Sequence, residues 1–231
     1  MVHKDRIPPG QFVTDRFPVL HAGTVPNIDL SRWNFRIFGL VEEEKTLTWD
    51  EFNALPQSRV VCDIHCVTTW SRLDNTWDGV LFKDVAKLVK IQPEAKFVLV
   101  HAEEGWTTNV PLEDLMRDNV IFAHSHDGKP LTKNHGWPLR LVVPHLYFWK
   151  SAKWVRGIEF LAEDKPGFWE ERGYHLYADP WMEQRYRDDP EWYDRGINDE
   201  EYYRTIKKRA REEWEQMQRG KSIEGNRVQR D

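Results

Sequence analysis

The sequence predicts an α+β fold of mixed, mostly antiparallel sheets with short helices, followed by a charged helical tail. Three observations carry this expectation. Strand-like and short helical runs succeed one another without a regular strand–helix–strand repeat, which disfavours a doubly wound sheet. The 231 residues suit one globular domain with an appendage. Composition shifts after about residue 170 toward Glu, Arg, Asp, Tyr and Trp, setting a body at residues 1–178 apart from a tail at 179–231.

Residues 1–30 read as an irregular arm, broken by Pro8-Pro9-Gly10, Pro18 and Pro26. Residues 33–39 alternate apolar and polar, a half-buried strand that stops at Gly39. Thr48 starts a helix to Leu55, Glu51 supplies a capping box, and Pro56 ends it. Residues 60–67 read as a buried strand, 82–89 as a helix and 97–102 as a strand. Residues 107–110 lead into a short helix at 112–116. A strand at 120–124 runs into the turn Asp127-Gly128-Lys129-Pro130. Residues 139–143 and 155–161 are further strands. In the tail, Tyr202, Tyr203, Ile206, Ala210, Trp214 and Met217 fall at helical spacing among charges, giving one long helix over 199–218 that docks on the body or on a partner.

The net charge of -5, from 33 basic and 38 acidic side chains, supplies no basic field for nucleic acid or an anionic membrane. No run of about 18 apolar residues suggests a membrane span. The first ten residues show no secretory or twin-arginine signal, and the two cysteines, Cys62 and Cys66, are too close for an unstrained bridge. A reducing, cytoplasmic setting is the expectation. Twelve tryptophans serve either a large core or a pocket for a flat or bulky ligand.

Cys66 is the focal residue, at the end of an apolar run and before the turn Val67-Thr68-Thr69-Trp70-Ser71 and the block Trp77-Asp78-Gly79-Val80. Its chemistry has four readings. It is a buried core thiol; a zinc ligand with Cys62 and histidines, although no second ligand pair has the spacing; a nucleophile whose base comes from His101 or His135, since His65 points to the other face of a strand; or the single thiolate on a metal whose cofactor supplies the other ligands. The last reading needs a cradle for a large anion. Asn134-His135-Gly136-Trp137-Pro138-Leu139-Arg140 leads into an apolar strand, and Ser151-Ala152-Lys153 follows. Arg140 can grip phosphate with two parallel hydrogen bonds, Lys153 adds a charge, the Ser151 hydroxyl and backbone N–H complete a nest, and His135 offers a donor to a polar heterocycle. An arginine among apolar residues is costly to bury without an anion.

Taken together, Cys-Val-Thr-Thr-Trp-Ser, Trp-Asp-Gly-Val, His-Gly-Trp-Pro-Leu-Arg-Leu-Val-Val-Pro and Lys-Ser-Ala-Lys-Trp resemble the molybdopterin-binding domain of the sulfite oxidase superfamily. The similarity spans roughly residues 14–170 and is greatest to bacterial sulfite-oxidase-like oxidoreductases, relatives of the periplasmic protein-methionine-sulfoxide reductase catalytic subunit. The resemblance implies molybdenum on one molybdopterin, with Cys66 as the sole protein ligand to the metal. By position in the matching motifs it implies that His135 contacts the pterin, Arg140 binds the cofactor, and Ser151, Ala152 and Lys153 form a phosphate segment. The arm segment Phe17-Pro18-Val19-Leu20-His21 implies a further cofactor contact at His21. Eukaryotic sulfite oxidases carry an arginine-rich stretch after the cysteine; here Arg72 is the nearby cation, and it and Lys150 are the candidates to hold substrate.

The implied function is two-electron oxygen-atom transfer on a small oxyanion or an S-oxide or N-oxide. With no haem-attachment motif and too few cysteines for an iron–sulfur cluster, electrons pass to or from a separate partner. The alternatives are a cysteine-nucleophile transferase or hydrolase, and a non-enzymatic binding module that uses the tail helix.

Overall fold

Two β-sheets share one apolar core. The structure is a computed structural model that describes residues 4–20 and 23–187. By internal contacts the chain divides into two units, Met1–Val19 with Thr24–Arg187 and Leu20–Gly23 with Asp188–Asp231, and the architecture below is that of the first. The expected helix at 199–218 and His21 lie outside the described residues.

The elements follow as β1 (Phe12–Val13), β2 (Asn34–Gly39), β3 (Lys45–Thr48), α1 (Trp49–Asn53), β4 (Gln57–His65), β5 (Trp70–Leu81), α2 (Phe82–Ala86), β6 (Phe97–Ala102), β7 (Thr107–Pro111), α3 (Leu112–Leu115), β8 (Ile121–His126), β9 (Lys129–Pro130), β10 (Arg140–Val142) and β11 (Val155–Leu161). One sheet runs β1-β5-β8-β10, with β4 on β5 and β9 on β8; the other runs β3-β2-β11-β6-β7. Only β1 with β5 and β11 with β2 pair in parallel among the described ladders, so the sheets are mixed and mostly antiparallel, as the sequence predicts.

Local chemistry explains the elements. In β2, Phe35 and Ile37 are buried and Arg36 is exposed, the period of two that places alternate side chains on opposite faces. The interior strand β6 is buried on both faces at Val98, Leu99 and Val100, hence its unbroken apolar run. The capping box at α1 is formed: Thr48 Oγ1 accepts from the Glu51 amide at 3.3 Å and Glu51 Oε2 accepts from the Thr48 amide at 2.7 Å. Phe35 of one sheet meets Phe122 of the other edge-on at 5.2 Å, which joins the two inner faces.

The sequence reading missed β5, the longest strand. Its middle, Arg72-Leu73-Asp74-Asn75-Thr76, is poor in strand formers, and Asp74 takes a positive φ of 55°. Tertiary pairing decides instead: β4 and β8 flank β5, with register shifts at Cys62/Ile64 and Asp78/Gly79. Gly79 allows that crowding, because a Cβ there would stand 2.0 Å from the Phe122 carbonyl oxygen. Residues 173–187 fold back on themselves through an isolated Tyr174–Tyr186 bridge and the Arg187 amide on the Gly173 carbonyl, and Arg185 is buried.

Candidate functional site

Cys66 sits in the four-residue connection from β4 to β5. Its amide donates to Trp70 O at 2.8 Å, and the Thr69 amide donates back to Cys66 O at 3.0 Å. Thr69, a β-branched residue, takes φ +74°, an unfavourable conformation for its type. The thiol is 7% exposed, and its Sγ lies 3.2 Å from Thr68 Oγ1. Burial pushes the thiol pKa up, against the Thr68 hydroxyl and amide, the Arg185 cation and the Val67 amide, which all favour the thiolate. His65 turns the other way and meets Ser71 Oγ at 2.8 Å. His101 pairs with Glu159 at 2.9 Å, and His135 is held by Thr132 and the Phe17 carbonyl. Neither is hydrogen-bonded to Cys66, so neither serves the nucleophile reading as its base. Among the described residues no group of three or more metal-ligand side chains forms a zinc site.

Arg140 lies across an aromatic box from this loop. It is 2% exposed, and its guanidinium faces Phe148 at 4.4 Å, Trp77 at 5.3 Å and Phe17 at 5.8 Å. Trp70, the residue that closes the Cys66 turn, meets Phe17 and Phe148 edge-on at 6.4 Å each. Arg140 donates to His135 O and Ser151 O, both at 3.0 Å, and its Nε–H has no partner. No carboxylate pairs with it among the described residues. Burial alone pulls its pKa down to about 9.

Gly136 gathers the rest of the cradle. Its φ is +107°, and a Cβ there would press on the Arg140 Cβ and the Lys153 Cβ at 3.1 Å. The chain therefore brings His135, Arg140, Ser151 and Lys153 together. Ser151 Oγ accepts from the Val143 amide at 2.9 Å, Ala152 O accepts from the Leu141 amide at 2.8 Å, and Lys153 Nζ donates to Asn134 O at 3.1 Å. The backbone N–H of Ser151 donates to Phe148 O and is not open to an anion.

The two cations expected to hold substrate are engaged elsewhere. Arg72 Nη2 donates to Asp127 Oδ2 at 2.6 Å, its Nη1 meets Asn75 Oδ1 and His126 Nε2, and its Nε donates to Asp15 O at 3.3 Å. A substrate role for Arg72 requires an exchange of partners. Lys150 is fully buried, 2.6 Å from Glu170, and donates to Asn109 and Leu176, which makes it a structural strut and corrects the expectation that it faces substrate. Sequence reasoning missed Gln11, Tyr147 and Arg185. Gln11 Nε2 donates to Cys66 O at 3.0 Å, and Arg185 Nη1 donates to Val67 O at 2.6 Å with its guanidinium 4.8 Å over the Tyr147 ring.

A soft sulfur in a turn whose Trp70 borders the same aromatic cluster as a buried cation suits a metal carried by an anionic cofactor, and comparison with known proteins bears this out. The oxidoreductase molybdopterin binding domain family matches residues 22–169. The chain is 53% identical over 182 residues to the uncharacterized oxidoreductase YuiH of Bacillus subtilis, covering 78% of this chain and 92% of that protein. It is 29% identical to the putative protein-methionine-sulfoxide reductase subunit YedZ1 of Azospira oryzae, over 67% of this chain and 58% of that one. It is 25% identical to sulfite oxidase of Arabidopsis thaliana, over 71% and 51%. The chain thus spans little more than half the length of these last two. The crystal structure of sulfane dehydrogenase SoxCD from Paracoccus pantotrophus shares the fold, with a TM-score of 0.56 at 22% identity over 60% of this chain and 40% of that one.

This chain belongs to the oxidoreductase molybdopterin-binding family, in its sulfite-oxidase-like branch. It is a molybdopterin-dependent oxidoreductase whose cofactor is molybdenum on molybdopterin. The residues present fit that group: the buried Arg140 guanidinium has an unsatisfied Nε–H and, among the described residues, no counter-ion, and the sulfur of Cys66 is the type of donor that a redox metal of this class takes.

Proposed function

We propose that this chain performs two-electron oxygen-atom transfer on a small oxyanion or an S-oxide or N-oxide, and exchanges the electrons with a separate partner protein. The observation that carries the reading is that, among the described residues, one buried thiol with no histidine partner and one buried guanidinium with no carboxylate partner border one aromatic cluster, through Trp70 and Phe148. In this reading Cys66 ligates the metal, and Arg140, Lys153, Ser151, Ala152 and His135 hold the pterin and its phosphate, with His21 at the arm. When bound, the cofactor supplies the oxygen-atom and electron chemistry.

The protein's own work is to hold and shield. The buried Trp77, with Phe148 against the guanidinium, keeps water from Arg140, which strengthens its attraction for an anion. Thr68 and the turn amides orient the sulfur. A relative named as a subunit of a reductase supports an external electron partner. A cytoplasmic location, which suits two free cysteines, and a body–tail boundary near residue 178 belong to the same proposal.

The test is a panel of sulfite, nitrate, sulfoxides and N-oxides, with an artificial electron donor or acceptor. Turnover that rises in proportion to molybdenum content is the expected result. Equal turnover by molybdenum-free protein would contradict it.

A further inference from the structure

We propose that Arg185, from the segment that follows the family-matched domain, is the positioning residue of the Cys66 sulfur, holding its turn in place and setting a positive charge beside it. The inference rests on the reading of Cys66 as the metal ligand.

The turn from Cys66 to Thr69 is bent through a β-branched residue at φ +74°, a conformation that persists when surrounding contacts over-determine it. Its carbonyls show where those contacts come from. Cys66 O accepts from the Gln11 side chain, Thr69 O from the Phe12 amide at 2.9 Å, and Val67 O from Arg185 at 2.6 Å. All three donors lie outside residues 22–169, so the arm and residues 173–187 close on the turn from its two sides in sequence. Arg185 joins them, since its Nη2 donates to Pro9 O at 3.4 Å while its Nη1 holds the turn.

Its charge also acts on the turn. Arg185 is 2% exposed, its Nε–H has no partner, and its nearest carboxylate, Glu183, is 3.6 Å away and half in solvent. A buried guanidinium compensated this loosely acts strongly on whatever is near it. The groups near it are the Tyr147 ring and the Cys66 turn. Arg72 and Lys150 do not compete for the role, because Asp127 and Glu170 balance them.

The fork and the charge are separable by substitution. Arg185→Gln removes the charge; Arg185→Lys keeps the charge but loses the two-carbonyl fork. In holoenzyme, Arg185→Gln is expected to lower the midpoint potential of the metal in a spectroscopically followed redox titration. It is also expected to cut kcat per molybdenum by roughly 10–100-fold with little change in KM. Arg185→Lys is expected to keep the potential and to lose molybdenum several-fold faster on dialysis. A purely structural role would change the unfolding midpoint and leave the potential and kcat per molybdenum as in wild type, and that result for Arg185→Gln overturns the proposal. If Arg185→Gln does not fold, Arg185→Lys decides, and wild-type molybdenum retention in it overturns the proposal. Cys66→Ser run in parallel separates the two failures. An unchanged sulfur count at its metal, by X-ray absorption, sinks the ligand reading; a reduced count with an unaffected Arg185→Gln sinks this inference alone.

Discussion

Arg140 carries a full charge where charge is costly, and that cost is the most direct sign of what the site is for. Its guanidinium has aromatic faces around it, two backbone carbonyls and, among the described residues, no counter-ion. Replacing it with methionine removes a desolvated cation and keeps the volume. Cofactor-free Arg140→Met is expected to be as stable as wild type, or more stable by up to about 3 kcal/mol in urea unfolding, while molybdenum per chain falls at least tenfold. His126, between Trp77 and Arg72, gives a pH signature. Burial, with Arg72 and Arg140, pulls its pKa to about 4 against Asp127. In the unfolded chain it sits near 6.5, so between pH 6.5 and 4 the unfolded state binds the extra proton and stability is lost as pH falls. His126→Gln is expected to flatten the slope of unfolding free energy across that window; an unchanged slope would contradict the assignment. Cys66 and Arg140 were legible in the sequence because each sits within a dense local pattern. Arg185 and Tyr147 were not, since what they touch is fixed by tertiary closure, and Asp127 and Glu170 were invisible as partners because they lie 55 residues from Arg72 and 20 from Lys150.

At the scale of elements, the site is presented by one turn and one strand entry, each held by pairing that local propensity does not announce. β2, β6, β8, β10 and β11 were legible from apolar periodicity, and α1 from its cap. β5 was not, because its polar middle reads as loop and its strand state is enforced from both flanks by β4 and β8. Gly79 is where that enforcement is tightest. Gly79→Ala is expected to cost about 3 kcal/mol or more, read as a lowered denaturation midpoint with unchanged slope, because the added Cβ must displace the Phe122 backbone. A loss below about 1 kcal/mol would show that the β5–β8 contact yields.

Across the described unit, two sheets build the body, and two struts tie its later segments to it: Arg185 on the Cys66 turn, and Lys150 with Glu170. The second strut buries both charges completely. Lys150→Met alone is expected to cost roughly 3–5 kcal/mol by stranding Glu170, and Lys150→Met with Glu170→Met markedly less, so a double-mutant cycle reads the coupling. Additive losses would show that the two charges are not coupled. The central claim is the bond between the Cys66 sulfur and molybdenum. The measurement that meets it head-on is metal content and molybdenum-edge X-ray absorption on protein purified from molybdenum-sufficient cells, wild type beside Cys66→Ser. About one molybdenum per chain in wild type, with one sulfur neighbour fewer in the variant, is the expected result; wild-type protein without molybdenum, or a variant with the same sulfur count, would contradict it.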